Sequence, residues 1–585
     1  MELSVLPLPK KYELKDDTFY LYGCNVCIDN NLDMRIIKAA TKLKNKLQEK
    51  TGTFHKLTRI NNLKNSIIIS KSSLLTSEEY TIDISKHEIT IIGGDDAGCF
   101  YAIGTLMQLI NTTSGLYIPT LFINDKPDMK HRGFYHDISR GRVPTVDGIK
   151  SLVDLLAKVK INSLQLYVEH TFEFNEFKTS NYTDQDYLTA EEILEIDQYC
   201  YDNFIDFIPS LSTFGHLYEL LMKKEYAHLC ELENYKPTSH FWIERMLHHT
   251  INPSDLESFK LITSLIDQYL PLFRSKYFNI CCDETFDLGK GKNINKDSSQ
   301  LYIDFVSKIS KHITDAGKNI MMWADIVLNH QELLQQIPND TILLNWCYNA
   351  NPDINRIKTI AQQKKTQIVC PGTNSWRSLL EILSVSVSNI EIMIKNGFEH
   401  GAIGVLNTNW GDYGHPAHIE CAYYSTVYAA CLSWNTSTKH NVSFEQTVSR
   451  LIYGVDGNII PLIRELGDIH KCASWTECLN WQITRDSSVF GTNASVIKTN
   501  ITRCNEIYAQ LSEMHHINDT LHPIIVAAKG ILLLNQAALQ IKSLGCVDDQ
   551  WHTDAKKWFE EYKNCWLKDN KYSELNEIKK FFKNM

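Results

Sequence analysis

The stretch Phe278 to Gly289 reads FNICCDETFDLG, an apolar run that stops on two adjacent carboxylates, Asp283 and Glu284. Carboxyl groups placed like this can pass protons to and from a reacting oxygen or offer oxygen ligands to a hard cation. A run such as YFNICC fits a strand buried on both faces, and charges where it ends must sit at a rim, in a pocket or in a paired network. Neighbours along a strand point to opposite sides. The two carboxylates can therefore serve one ligand only if the strand has just ended.

The elements that would hold them follow a regular rhythm from residue 131 onward. The strand segments are HRGFYHDIS, INSLQLYVEH, IDFIPSLSTFGH, YFNICCDE, NIMMWAD, TILLNWCY, TQIVCPGTNSW and AIGVLNTNWGD. Between most of them lie amphipathic stretches such as VDGIKSLVDLLAKVK (146–160) and TAEEILEIDQYCYDN (189–203). Alternating strands and helices over this length predict an α/β fold of the (β/α)8 TIM-barrel type. Each strand segment ends on chemistry-bearing residues: Asp137 and Arg140, Glu169 and His170, His216, Asp283 and Glu284, Trp323 and Asp325, Trp346 and Tyr348, Asn374 and Trp376, Trp410 and Asp412. In such a barrel those ends converge on one face, where active sites lie.

Two further regions flank the barrel, giving a division into 1–125 (N-terminal α/β), 126–437 (barrel) and 438–585 (all-α). SIIIS (66–70), EYTIDIS (79–85) and EITIIGG (88–94) are short β-rich runs. DDAGCFYAIGTLMQLI (95–110) has helical spacing with an Asp cap, and FINDKPDMKHR is expected to cross into the barrel. Beyond 440, SFEQTVSRLIYG, VIKTNITRCNEIYAQLSEM, IIVAAKGILLLNQAALQI and DAKKWFEEYKNCWLKDN are helical by periodicity. The chain has 585 residues, 43% hydrophobic content and a net charge of −10. No basic stripe for nucleic acid stands out, and no uninterrupted apolar run reaches the ~18 residues of a membrane span. The first residues lack the apolar core of a secretory signal. The 16 cysteines include several set in apolar runs, the habit of reduced thiols; Cys24 and Cys27 form one C-x-x-C without a second pair of zinc spacing. A cytoplasmic protein is expected, with no metal, no cofactor, no nucleic-acid partner and no membrane; its C-terminal helices could supply a homodimer interface.

The rim is rich in indoles: Trp323, Trp346, Trp376 and Trp410, with Trp434 expected nearby. Flat apolar walls suit the C–H faces of a sugar ring, while carboxylates and arginine bind its hydroxyls through charge-assisted hydrogen bonds. A retaining glycosidase of the ordinary kind needs carboxyls ~5 Å apart across the bond, and an inverting one ~6.5–9.5 Å. Adjacent residues approach from the same strand end, so the geometry is easier if the substrate carries its own nucleophile and one carboxylate steers it.

From about 60 to 435 the chain resembles glycoside hydrolase family 20, the β-N-acetylhexosaminidases. CCDET is similar to that family's Asp-Glu pair, IPSLSTFGH to its third strand with His216 as the matching histidine, and NWGD to its Trp-x-acid ending with Trp410 and Asp412. HRGFYHDISRGRVP resembles its first barrel strand, with Arg132 as the hydroxyl-binding arginine. YVEHTFEF departs from the family's second strand, leaving Glu169, His170 and Glu173 as alternatives. CPGTNSW lacks the expected tyrosine, so Tyr348, Asn374 and Trp376 are candidates for the acetamide contact. The resemblance implies exo-acting, retaining cleavage of terminal β-linked GlcNAc or GalNAc, with Asp283 orienting the 2-acetamido group and Glu284 as acid and then base. Competing readings are an O-GlcNAc-type protein glycosidase, a non-catalytic sugar-binding protein on the same scaffold, and a metal-dependent barrel hydrolase.

Overall fold

The computed structural model describes residues 3–60, 65–178, 183, 185–247 and 249–585. Its N-terminal part is a seven-stranded sheet of β1 (Lys11–Tyr20), β2 (Asn25–Ile28), β3 (Leu57–Thr58), β4 (Ser66–Lys71), β5 (Tyr80–Ile84), β6 (Glu88–Gly93) and β7 (Tyr117–Asp125), in the order β1-β7-β5-β6-β4-β2-β3. The helices Met34–Thr51 and Asp96–Thr112 accompany it, and the Asp95 side chain caps the second by accepting from the Gly98 amide. The three β-rich runs are the strands β4 to β6, with burial alternating along β5 and β6. FINDKPDMKHR does not begin as a crossing, however: Phe122 to Asp125 complete β7, paired antiparallel with both β1 and β5. β1 escaped sequence reading because it is an edge strand in which Phe19 alone is fully buried, so its KYELKDDTFY carries no apolar alternation.

The second unit is the barrel. Strands β8 (His131–Asp137), β9 (Ser163–Val168), β10 (Asp206–Leu211), β11 (Tyr277–Asn279), β12 (Asn319–Trp323), β13 (Ile342–Trp346), β14 (Gln367–Cys370) and β15 (Gly404–Asn409) pair in parallel and in chain order, and β15 closes on β8. Helices follow the expected stretches: Val146–Lys158, and Ala190–Asp202 with a reciprocal capping box between Thr189 and Glu192. Tyr135, Tyr167, Ile208, Met321, Leu344 and Leu406 fill the interior together with the tryptophans of the upper rim. The C-terminal part is helical throughout. One helix region, Asp519–Leu544, is long and apolar enough to cross a membrane by length and composition, but 72% of its apolar window is buried inside the protein. It is the hub against which Ala494–Glu513 and Asp549–Asp569 pack.

Arg132 and Trp434 belong to the junction between sheet and barrel, and this corrects the expectation that Arg132 binds hydroxyls at the rim and that Trp434 lies near it. Arg132 lies at the start of β8, at the opposite end from the rim, with its side chain fully buried. Its Nη1 and Nη2 each donate to a Glu78 oxygen at 2.9 Å, and Nε donates to the Lys160 carbonyl. Trp434 ends the helix Tyr423–Trp434, packs in the N-terminal core, and donates from Nε1 to Asp125 Oδ2 at 2.9 Å. Asp125 also holds Lys160 Nζ at 3.2 Å. The two buried pairs Arg132–Glu78 and Lys160–Asp125 thus rivet the sheet beneath the barrel.

Removing one partner of a buried pair leaves an uncompensated charge, at a cost of about 3–5 kcal/mol. Glu78→Gln is therefore expected to destabilise the protein by about 3 kcal/mol in denaturant unfolding, while leaving the kinetic behaviour of the surviving folded protein unchanged. Altered substrate affinity in that variant would return Arg132 to the site.

Candidate active site

The strand beneath Asp283 and Glu284 ends early. β11 stops at Asn279, and Cys281, Cys282 and Glu284 all take left-handed backbone angles, with φ of 57°, 64° and 48°. Non-glycine residues there cost of order 1–3 kcal/mol each and persist only when the surroundings over-determine them. The surroundings do so: the Cys281 carbonyl accepts from the Trp323 amide at 3.0 Å, the Cys282 carbonyl from the Tyr302 hydroxyl at 2.8 Å, and the Ile280 carbonyl from Thr213 Oγ1 at 2.7 Å. The consequence is chemical. Freed from the strand's alternation, both carboxylates reach one imidazole: His216 Nε2 lies 3.3 Å from Asp283 Oδ2 and 3.4 Å from Glu284 Oε2. The approach requires Gly215, where a Cβ would stand 2.7 Å from the Asp283 carbonyl oxygen.

His216 is buried and itself left-handed, with φ of 57°. Burial opposes its charge, but the Asp283 carboxylate and the hydrogen bonds to Asp283 and Glu284 outweigh burial and raise it to about 10. Arg140 Nη2 sits 3.2 Å from Nδ1 on the other edge and works against a second proton. Beneath the pair, Asp325 Oδ2 accepts from the Glu284 amide at 3.0 Å. Burial first, and then the Asp283 charge, push the Asp325 carboxyl up to about 7.

Arg140 is the second cation. Its guanidinium lies 3.2 Å from Asp412, 3.3 Å from Glu169 and 3.5 Å from Asp137. Burial disfavours its charge, yet Tyr167 and these three carboxylates hold it charged. Burial in turn raises Asp137 and Glu169 against the pull of Arg140. Arg140, noted above only as a strand-end residue, occupies the position expected for Arg132. Its distance from the strand start is the signal that separates them: in a parallel barrel only the carboxyl ends of strands face the site. Of the three second-strand alternatives, Glu169 joins the network. Glu173 accepts from the Ala190 amide at 2.7 Å, at the N-terminus of the helix Ala190–Asp202, and His170 is buried with its ring pushed down to about 3 by burial.

The aromatic residues close the other side. Trp346 stacks on Tyr348 at 5.2 Å, Trp376 meets Tyr348 edge-on at 5.1 Å, and Trp410 donates from Nε1 to the Tyr348 hydroxyl at 2.8 Å. Trp323 and Trp410 pack 5.7 Å apart against Tyr135. Gly372 permits this: a Cβ there would lie 2.7 Å from Trp376 and 2.9 Å from Tyr348. Asn374 turns its amide onto the Tyr348 and Gly372 carbonyls. Tyr348 lies close enough to Asp283 to feel its charge, and burial raises its hydroxyl well above the ordinary value. The site therefore joins the His216–Asp283–Glu284 trio, the Arg140–Asp412 pair and an indole-lined wall. The donor atoms of His216, Asp283 and Glu284 also lie within 4.8 Å of one another, so a divalent cation could compete with the proton for them.

Two family models match the chain in succession: glycosyl hydrolase family 20, domain 2, over residues 2–126, and glycosyl hydrolase family 20, catalytic domain, over residues 129–376. A β-hexosaminidase of Porphyromonas gingivalis is 28% identical over 287 residues, covering 43% of this chain and 36% of that protein. The chain thus spans about a third of that relative's length. Hexosaminidase D of Bos taurus is 23% identical over 307 residues, covering 47% of this chain and 83% of that protein. Among solved structures, the chitobiase of Flavobacterium johnsoniae superposes with a TM-score of 0.64 at 19% identity over 96% of each chain. The Streptomyces plicatus N-acetyl-β-hexosaminidase in complex with Thio-NAglucal gives 0.62 at 17% identity, covering 77% of this chain and 94% of that one.

A histidine raised in the folded state stabilises fully below its unfolded value near 6.5 and loses that contribution as pH rises through the folded value. Comparing the protein with His216→Asn, whose side chain tolerates the left-handed backbone, should give a stability difference of a few kcal/mol at pH 6. Chemical denaturation at successive pH values should show that difference shrinking between pH 6.5 and 10; a gap independent of pH would show that the imidazolium is not held by the carboxylates.

Proposed function

The chain belongs to glycosyl hydrolase family 20, and on that premise we propose that it is an exo-acting, retaining β-N-acetylhexosaminidase that removes terminal β-linked GlcNAc or GalNAc. The observation that carries the proposal is the convergence of two sequence-adjacent carboxylates on one buried histidine at the edge of an aromatic pocket. Both acids come from one strand end, so neither stands across the scissile bond from the other. The nucleophile is then the 2-acetamido oxygen of the sugar itself. An intramolecular nucleophile held in a near-attack pose has an effective molarity of roughly 10⁵ M or more.

Asp283, more deeply buried than Glu284, accepts from the acetamido N–H and stabilises the positive charge of the cyclic intermediate. Glu284 protonates the leaving oxygen and then deprotonates the incoming water, so configuration at the anomeric carbon is retained. His216 bridges the two: it compensates the Asp283 charge while Glu284 still carries its proton, and the Glu284 charge once that proton has passed to the leaving oxygen. The Tyr348 hydroxyl, already oriented by Trp410, donates to the acetamido oxygen. Arg140 and Asp412 bind sugar hydroxyls, and the indoles of Trp323, Trp346, Trp376 and Trp410 wall the ring. The sixteen cysteines, all unpaired, favour a reducing compartment and hence a cytoplasmic role in carbohydrate metabolism.

The decisive experiment is a panel of aryl β-glycosides of gluco and galacto configuration, with and without the 2-acetamido group. Only the acetamido substrates should turn over, and a thiazoline mimic of the cyclic intermediate should inhibit. Glu284→Gln should lower kcat/KM by about 10²–10⁴-fold with unchanged folding. Equal cleavage of the 2-hydroxy glycosides would remove substrate assistance from the mechanism.

A further inference from the structure

Far along the chain from the pocket, the segment 570–574 lies against the loop that carries Arg140. Asn570 bridges Pro144 in antiparallel fashion, the Lys571 amide donates to the Val143 carbonyl at 2.8 Å, and Ser573 Oγ and the Glu574 amide donate to the Gly141 carbonyl at 3.0 and 3.2 Å. The Glu574 side chain continues inward. Its Oε1 accepts from Arg245 Nη2 at 2.7 Å, and its Oε2 from Trp242 Nε1 at 2.8 Å. Arg245 is 4% exposed; it also pairs with Glu219 at 2.8 Å and donates from Nη1 to the Ser139 carbonyl at 3.3 Å.

Arg140 is thereby gripped on both chain neighbours. Arg245 holds the carbonyl before it, and Ser573 with Glu574 holds the carbonyl after it. A second link runs through charge. Arg245 is near enough to Glu169 for each to shift the other, and Glu169 is a direct partner of Arg140. With Glu574 neutral or absent, Arg245 keeps Glu219 alone and its charge is less compensated. Its pull on Glu169 then strengthens, drawing that carboxylate from Arg140 just as the Gly141 side of the loop loosens.

We propose that Glu574 is a positioning residue for substrate binding: acting through Arg245 and the 139–143 loop, it fixes the guanidinium of Arg140 where it meets the hydroxyls of the terminal sugar. This rests on the pocket being the sugar site argued above. Arg140 touches groups that do not react, so its misplacement weakens ground state and transition state alike. That is the signature of a raised KM at constant kcat.

The test uses the full-length protein and an aryl β-N-acetylglucosaminide. Glu574→Gln should raise KM about tenfold with kcat within about twofold, Glu574→Asp should restore most of the affinity, and Glu577→Gln, within the helix Leu575–Lys583 that follows Glu574 but outside the brace, should leave both constants unchanged. Hydrogen exchange of the 138–145 segment, read without substrate, should quicken in Glu574→Gln and in Glu574→Ala. A KM equal to that of the parent in Glu574→Gln, or a loss of thermal stability with KM unmoved, overturns the proposal. Should the parent hydrolyse no acetamido glycoside, the functional proposal fails by itself, and unchanged exchange at 138–145 in Glu574→Gln would then refute the brace independently.

Discussion

Carboxylates crowd where the barrel strands end, and the structure depends on keeping them there. Asp137, Glu169, Asp283, Asp325 and Asp412 are all largely buried, with Glu284 beside them. An unpaired ion in such a place costs several kcal/mol, and like charges repel more strongly as water is excluded. Two cations make the gathering tolerable: His216 for Asp283 and Glu284, Arg140 for Asp137, Glu169 and Asp412. The two side chains lie 3.2 Å apart, so the five acids they pair with form a single electrostatic unit, which Asp325 joins through the Glu284 amide. Strain in the backbone at Cys281, Cys282, Glu284 and His216 follows from the same demand, because no regular strand end could aim two consecutive carboxylates at one ring.

The eight barrel strands were legible because a strand buried on both faces reads as an apolar run, and its exit onto the active face reads as a switch to polar residues. This is why Glu169, His216, Trp323, Tyr348 and Asp412 could be placed near one another from strand ends alone. Arg132 went astray because a motif names residues without saying which end of the strand they occupy. It stands at the beginning of β8 and Arg140 beyond its end, so one strand carries a structural arginine to the base and a second arginine to the rim. Trp434 misled for a related reason: it terminates a helix that returns to the base after the last strand. β1 lacked a signal altogether, being an exposed edge. Arg245 and Glu574 were beyond reach because their pairing spans 329 residues, and nothing local to either announces the partner.

The contrast between the two arginines also shows how a structural cation differs from one that meets a ligand. Arg132 is saturated: a bidentate carboxylate and several carbonyls account for its donors, and through them it holds sheet to barrel. Arg140 is shared among three acids at 3.2 to 3.5 Å, none of them bidentate, and its Nε and the Glu169 Oε2 are buried without a hydrogen bond. Buried polar atoms left in this state are the exception in folded proteins. On the function proposed above, they are a reserve of polar atoms for the ligand at the C-terminal face of the barrel.

That reserve constrains what the ligand can be. A metal ion at His216, Asp283 and Glu284 would relieve the carboxylate crowding but would have to displace the imidazolium proton that already relieves it. It would also leave the aromatic wall and the Arg140–Asp412 pair without a task. The pyranose ring proposed above would use all three sides of the site at once: indoles against its C–H face, Arg140 and Asp412 along its hydroxyls, and the proton-bearing trio at the remaining corner. The proposed amide at that corner would complete the match, its N–H meeting a carboxylate and its oxygen the Tyr348 hydroxyl, which Trp410 holds. On the function proposed above, the same crowding that makes the site costly to build would also make it selective, because a substrate that divides its polar groups in this way leaves few buried charges unanswered.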